Sequence, residues 1–430
     1  MTTPLTLHPE RMALHNEVHA RPPEALESNL AISQVVMVCS AAEREASRAH
    51  IAALARDHHL AQPDAGSTHA RLDFGLYRLR WELHTEFVTW TFTRPLKGTE
   101  TGERVPEVAT STVPQHFLAQ LPGKCLAAMH LWVLPIKGFS TDSVLQNILH
   151  EETLVASTVA DGYGEVYTDF ALHADGYSRM LLLAGGMTPR RLGRLVQNLL
   201  EIETYRMAAL LGLPAARAAS TVLGSAEREL AELAESIRSA TRESEPELLD
   251  RLTRLAGQVE SQHAATHSRF SASAAYFELV DKRIQDIGES RLAGMQTIGE
   301  FMDRRLTPAR STCAWAARRQ DALSQRVSRI SNLLRTRVEI EQQQSSQALL
   351  AAQITRQDTQ LKLQSTVEGL SVAAISYYIV GLVTYLAKGA EHVGWPVAPE
   401  MTAAIAIPFV AGGVWWSLRR MHHSLFQKGG

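Results

Sequence analysis

The chain has 430 residues, and 43 lysines and arginines against 45 aspartates and glutamates leave a formal net charge of −2, which excludes the strongly basic footprint of a dedicated nucleic-acid binder. Apolar residues at 45% and charged residues at 20% exclude a disordered chain. The three cysteines, Cys39, Cys125 and Cys313, lie far apart with no C-x-x-C pair, which excludes a disulfide scaffold or a cysteine-rich zinc module and suits a reducing compartment.

Residues 1–29 are expected to form a docking segment, and residues 1–21 lack the basic head and apolar run of a secretory signal. They carry the block His15-Asn16-Glu17-Val18-His19-Ala20-Arg21-Pro22-Pro23. On a helix His15 and His19 would share a face at a workable metal-ligand spacing. A zinc protease needs glutamate directly after the first histidine, whereas Glu17 comes two later, and Pro22-Pro23 stops a helix. Three readings stay open: a capping segment bonded to the domain, a metal site, and an anion site built from Asn16, His19 and Arg21.

Residues 30–213 follow an α/β pattern, predicted as a mixed sheet. A buried strand is expected at 32–38, a helix at 41–58, and two antiparallel strands at 72–83 and 86–93. At the junction of those two strands, Arg80-Trp81-Glu82-Leu83-His84-Thr85-Glu86-Phe87 places two carboxylates and an imidazole together. Glu82, His84 and Glu86 would support acid–base chemistry if they converge, and are otherwise a polar strand edge. A short helix near 115–120, a strand at 126–134 and a helix at 142–152 follow. Strands 165–173 and 177–184 are expected to pair across Asp175-Gly176, a strong hairpin signal. Thr188-Pro189 opens a helix whose stripe Leu192, Leu195, Leu199, Ile202 ends at Gly212. The order β-α-β-β-α, written twice, suggests two similar halves without a residue-level repeat. Gly185-Gly186 and Gly162-x-Gly164 lack the spacing and the lysine of a phosphate loop, and no catalytic signature or cofactor site emerges.

Residues 214–306 read as amphipathic helices without strands. Val222, Ala226, Leu230, Leu233 and Ile237 form one stripe, and Leu248, Leu252, Leu255 and Val259 another, with Ser244-Glu245-Pro246 between them as the bend of a helical hairpin. A further helix is expected at 292–306, and Thr307-Pro308 then opens a stalk helix over 307–368. Continued through the next apolar run, that helix would be on the order of 120 Å long and would need other helices or copies of itself to pack on. Residues 227–250 hold eight acids against three arginines, and residues 304–337 hold nine arginines against one acid. These charges either are solvated faces or set the acidic hairpin against the basic stalk.

Residues 369–387 and 401–418 contain no charge, and at 19 and 18 residues each would span roughly 27–29 Å as a helix, close to the thickness of bilayer hydrocarbon. Tyrosines and tryptophans near their ends, Tyr385, Trp395, Trp415 and Trp416 among them, suit interfacial belts. The intervening residues 388–400 hold one lysine and two glutamates, whereas Arg356 and Lys362 precede the first run and Arg419, Arg420 and Lys428 follow the second. The positive-inside rule therefore predicts two transmembrane helices, an outer loop at 388–400 and a basic tail at 419–430, with both termini cytoplasmic in a bacterial inner membrane. Ala374, Tyr377, Gly381, Thr384 and Lys388 recur every three or four residues and share a face, either a helix-contact face or the lining of a pore in an oligomer.

Leu14–Pro23, Arg80–Trp90 and Thr366–Tyr378 together resemble a bacterial family of membrane-anchored proteins known only as domain of unknown function 3422. That resemblance covers nearly the whole chain and implies a two-span inner-membrane protein without an established activity. A second resemblance is architectural. An α/β domain, an acidic hairpin, a long stalk and two C-terminal spans are similar to CorA-type magnesium transporters, which implies a homo-oligomer, a pentamer in that family, with the first span lining a pore. The Gly-Met-Asn signature of that family is missing; Tyr385-Leu386-Ala387-Lys388-Gly389 stands in its place, and a ring of lysines would repel cations. The expected function is a homo-oligomeric inner-membrane channel or transporter gated by its cytoplasmic domain, the alternative a membrane-anchored scaffold or ligand sensor. The expected partners are the lipid bilayer and further copies of the chain, with no nucleic acid.

Overall fold

The run L-A-I-S-Q-V-V-M-V is apolar on both of its faces, as a strand covered on two sides must be, and it forms β1 (Leu30–Val38) at the centre of a sheet. The computed structural model describes the chain except residues 1–6, 13, 16–21, 65, 97–105, 137–140, 242, 392–397 and 427–430, and except the side chains of 141–144, 390–391, 418–419 and 421–426. It divides into two units, residues 1–331 and 332–430.

In the first unit the chain continues with α1 (Ala41–Asp57), β2 (His69–Asp73), β3 (Arg78–Leu83), β4 (Phe87–Pro95), α2 (Gln115–Ala119), β5 (Lys124–Pro135) and α3 (Thr141–Ile148). Then come β6 (Val155–Val159), β7 (Gly164–Thr168), β8 (Ser178–Ala184), α4 (Pro189–Leu210), α5 (Gly212–Arg238), α6 (Glu245–Asp286), β9 (Ser290–Arg291) and α7, which starts at Ile298. Among the described residues the nine strands make one sheet in the order β2-β3-β4-β1-β5-β8-β7-β6-β9. Only β5 and β8 are parallel; the other neighbours are antiparallel. From the centre outward the strands run β1-β4-β3-β2 on one side and β5-β8-β7-β6 on the other. The two sets differ in direction, because β1 is antiparallel to β4 while β5 is parallel to β8.

Strand alternation sends Ala31, Val35, Trp90, Trp132 and Leu181 to one face, where they pack with Ile51 and Leu54 of α1, Phe117 of α2 and Ile148 of α3. The other face carries Ile32, Leu131, Val133, Met180 and Leu182 and is covered by Leu195 and Leu199 of α4, Phe277 and Val280 of α6, and Met302 of α7. The result is a three-layer unit; its mixed α/β sheet is the one expected from the sequence.

Several local expectations change. The predicted strand at 72–83 is two strands, because Gly75 takes φ +78° and Phe74 N–H bonds to the Tyr77 carbonyl at 2.9 Å to make a turn. The five-residue β6 is too short for its alternation to stand out. A two-residue strand, β9, occurs after Pro214, where none is expected, and pairs with β6. Gly212 does not end α4 in a left-handed cap; it opens α5 and lets the backbone approach Ser273, whose Oγ would lie 2.5 Å from an added Cβ. The stalk helix does not start at Thr307-Pro308. It starts at Ile298, where Thr297 and Glu300 exchange backbone-to-side-chain bonds of 3.1 Å each and Glu289 accepts from the Ile298 and Gly299 N–H groups at 3.1 and 2.8 Å. This capping box sets the start, and the helix runs through the exposed Pro308 at the cost of one backbone bond.

The acidic hairpin and the basic helix do meet within the chain. The Arg319 guanidinium grips Glu227 in a fork at 2.7 and 2.5 Å and holds that carboxyl below its ordinary range. Many of the other charges pair locally at the surface, as Arg238 with Glu235 and Arg254 with Asp250 do.

In the second unit α7 continues to Glu391, and α8 (Pro399–Phe426) follows. Leu370, Tyr377, Tyr378, Leu382, Tyr385 and Leu386 of α7 are exposed, as are Ile405, Ile407, Phe409, Trp415 and Trp416 of α8. Among the described residues two helical stretches are long and apolar enough to cross a membrane, Pro189–Arg238 and Ile298–Gly389. The first lies partly in the α/β core, through Leu192, Leu195 and Leu199, and 33% of its apolar window is buried; for the second the figure is 6%.

Gly193 sits where α4 crosses the segment before β1. A Cβ there would lie 1.6 Å from the Glu24 carbonyl oxygen. Helix propensity alone would make Gly193→Ala stabilising by about 1 kcal/mol, whereas the clash requires a loss of at least about 2 kcal/mol. Urea unfolding of the variant is expected to show the loss.

Candidate functional site

Two clusters of polar groups in the first unit adjoin where β7, β8 and the end of α3 meet. The hairpin does not pair as far as its turn. Pairing stops at Thr168 and Met180, and residues 169–177 form a loop closed on itself. Phe170 takes φ +49°, and its N–H bonds to Thr168 Oγ1 at 3.2 Å. The Asp-Gly turn is present, with Gly176 at φ +82° and its N–H on the His173 carbonyl at 2.9 Å. The strands end early because side chains take over the backbone's partners.

Asp169 organises this loop. Its side chain is fully buried. One oxygen accepts from Ala171 N–H at 3.0 Å, and the other accepts from His150 N–H at 2.9 Å and bonds with His173 Nε2 at 2.8 Å. His150 precedes the short 3-10 helix Glu151–Thr153, and its ring stacks on that of His173 with centroids 4.4 Å apart. A ring nitrogen of His150, a carboxylate oxygen of Asp169 and a ring nitrogen of His173 lie within 4.8 Å of one another.

A second cluster adjoins the first on the turn. His130, buried in the middle of β5, bonds through Nδ1 to Ser33 Oγ of β1 at 2.7 Å and stacks on Tyr177 at 3.9 Å. Its Nε2 lies 3.9 Å from Asp175, which accepts from Tyr177 N–H at 3.0 Å and from Arg179 at 3.1 Å. Arg179 also reaches the Ile148 carbonyl at 3.2 Å, tying the turn to the end of α3. Burial drives His130 from its ordinary 6.5 down to about 4, so it is a neutral imidazole at neutral pH, with Asp175 pulling the other way. Burial alone would lift Asp175, but Tyr177 N–H and Arg179 hold it below the usual carboxylate range. Burial raises the Tyr177 hydroxyl, keeping it protonated. The arrangement offers an accessible imidazole, a buried carboxylate and a second imidazole for a cation or a hydrogen-bonding ligand.

The residues singled out from sequence lie elsewhere. His15 is exposed, and Asn16, Glu17, His19 and Arg21 lie outside the described residues. Glu82 is buried in β3, 3.1 Å from Arg80 and within reach of the Thr89 hydroxyl at 3.4 Å. Glu86 instead faces α6, where Arg269 grips it and Tyr276 donates to it at 2.9 Å. His84 stacks on Phe87 and lines a cleft of about 560 Å³ with Arg44, Arg48, Tyr205 and Tyr276. The two carboxylates are thus bound to different arginines. On α7, Ala374, Tyr377 and Lys388 are exposed, while Gly381 and Thr384 are partly covered. Sequence reading missed His130, His150, Asp169 and His173. The signal available was H-A-D-G-Y at 173–177, with Asp169 one helical turn before it, inside what reads as plain strand.

The sequence profile of one family, described as protein of unknown function (DUF3422), matches residues 6–425. No curated protein and no solved structure matches the chain.

Between pH 6.5 and about 4 the unfolded chain takes up a proton on His130 that the folded chain refuses, so stability falls as pH drops across that window. The expected loss is on the order of 3 kcal/mol. Urea unfolding followed by tryptophan emission at several pH values checks it, and His130→Gln should flatten that part of the profile.

Proposed function

Because the chain belongs to the DUF3422 family, whose description assigns no activity, we propose its function from its own structure: a membrane-anchored sensor that holds an α/β ligand-binding domain at the cytoplasmic face of a bilayer. One observation carries this reading. The apolar window of α7 is 6% buried, while the two large cores of the α/β unit take no residue beyond Ala309. Apolar side chains on that scale, left uncovered, call for lipid or protein around them. In this reading α7 crosses the bilayer and α8 returns, since residues 401–418 are free of charge and arginines follow them. The ligand site is the loop 169–177 with His150, the place where titratable groups of the domain converge.

A second reading, a homo-oligomeric channel of CorA-like build, draws on the face Ala374, Tyr377, Gly381, Thr384 and Lys388. Ala374 and Tyr377 are exposed on that face, where further copies can pack. The exposed Leu349, Ile354, Leu361 and Val367 on the preceding turns favour helix–helix association as well. Ion flux in proteoliposomes separates this reading from the sensor.

The anchor is tested by alkaline carbonate extraction of the expressed full chain, which is expected to remain with the membrane pellet. Placing two charges in the run, Val380→Asp with Leu382→Arg, costs roughly 2.5–3.5 kcal/mol each at a bilayer centre and should move the chain into the extract. A wild-type chain soluble without detergent contradicts the proposal.

A further inference from the structure

His150, Asp169 and His173 come from two separate stretches of chain, and they bring two stacked imidazoles beside one buried carboxylate. Asp169 has a fully buried side chain, and His173 is the basic group at salt-bridge distance from it. A buried carboxylate in that position favours a cation beside it. The two imidazoles lie nearly parallel, 13° apart, on the same side of the loop, and His150 is exposed, so an ion can enter from solvent.

The donor chemistry selects the ion. Two imidazole nitrogens and one carboxylate oxygen are the ligands of open zinc sites and of related divalent transition metals, whereas magnesium and calcium take oxygen donors. Bonds of about 2.0–2.1 Å place ligand atoms roughly 3–4 Å apart, so three atoms within 4.8 Å need only small side-chain rotations to close on an ion. The supporting shell is present: Ala171 N–H and His150 N–H already fix both oxygens of Asp169. The proton now shared between His173 Nε2 and Asp169 would move to the other ring nitrogen or to solvent, since a metal takes the neutral imidazole.

We propose that His150, Asp169 and His173 bind one divalent transition-metal ion of the zinc class, with its remaining positions open to water or an outside ligand. This deepens the sensor reading and rests on it for its role, in which the ion clamps the end of α3 to the 169–177 loop.

The test uses the full chain in detergent, stripped with a chelator and titrated with zinc(II) by calorimetry, with metal content measured after dialysis. One zinc per chain is expected, undisturbed by excess magnesium. His150→Ala, at an exposed position, and His173→Ala should each weaken binding by roughly tenfold to a hundredfold or more, while the exposed control His116→Ala leaves it unchanged. Cobalt(II) gives a second readout, a ligand-field absorption present in the wild type and lost in His150→Ala. Absence of stoichiometric uptake, or equal affinity in His150→Ala, overturns the site, the hydrogen bond of His173 to Asp169 then being a structural latch. Carbonate extraction of the same preparations keeps the two ideas apart. A chain held in the membrane that binds no zinc overturns the metal site alone, and zinc binding by a chain that is extracted overturns the anchor alone.

Discussion

A buried carboxylate must be answered on both oxygens, and the way this chain answers Asp169 determines the shape of its site. Removing the partners of an ionised buried group costs several kcal/mol, so the loop after β7 is not free to adopt other paths. Ala171 N–H takes one oxygen; His150 N–H and the His173 ring take the other. That requirement pulls the end of α3 toward the hairpin and lays one imidazole on the other. It also ends the β7–β8 ladder early, and the released turn then carries Asp175 and Tyr177 to His130. The sheet supplies the platform: His130 is held through Ser33 by the central antiparallel pair β1–β5, whose position depends on both cores.

Much of this architecture is legible in the sequence, because long periodic segments report their own burial. The apolar run of β1, the helix after it, the Asp175-Gly176 turn and the stripes of the helical hairpin all correspond to elements of the fold. Reading breaks down where a side chain competes with the backbone. Phe170 with a positive φ and Asp169 as a loop organiser leave no mark on hydropathy, so 169–173 reads as strand. The capping box at Thr297 and Glu300 was equally present in the letters, but the proline at 308 is the louder signal, and it makes one helix that begins at Ile298 read as two.

The site itself was least legible. His150 and Asp169 are separated by a 3-10 turn and two strands, and only the pairing of β6 with β7 folds that distance away. The acidic and imidazole groups that are close in sequence, Glu82, His84 and Glu86, diverge because β3 ends at Leu83 and residues 84–86 turn into β4, so strand alternation does not carry past Glu82 and each carboxylate meets its own arginine. Charge segregation between the hairpin and the stalk was visible throughout, and the fork between Arg319 and Glu227 is a firm expression of it. The near-zero net charge conceals these opposed segments.

The claim on which the site rests is that Asp169 holds a closed, preorganised loop on the surface of the sheet. Amide hydrogen exchange of the full chain, resolved to residues 148–177, tests it most directly. The Ala171 and His150 amides are expected to be protected to the level of the neighbouring strands β7 and β8, although His150 is exposed. Exchange of both at the rate of an open surface loop would contradict the account, for then Asp169 does not bind them and the two imidazoles have nothing to bring them together.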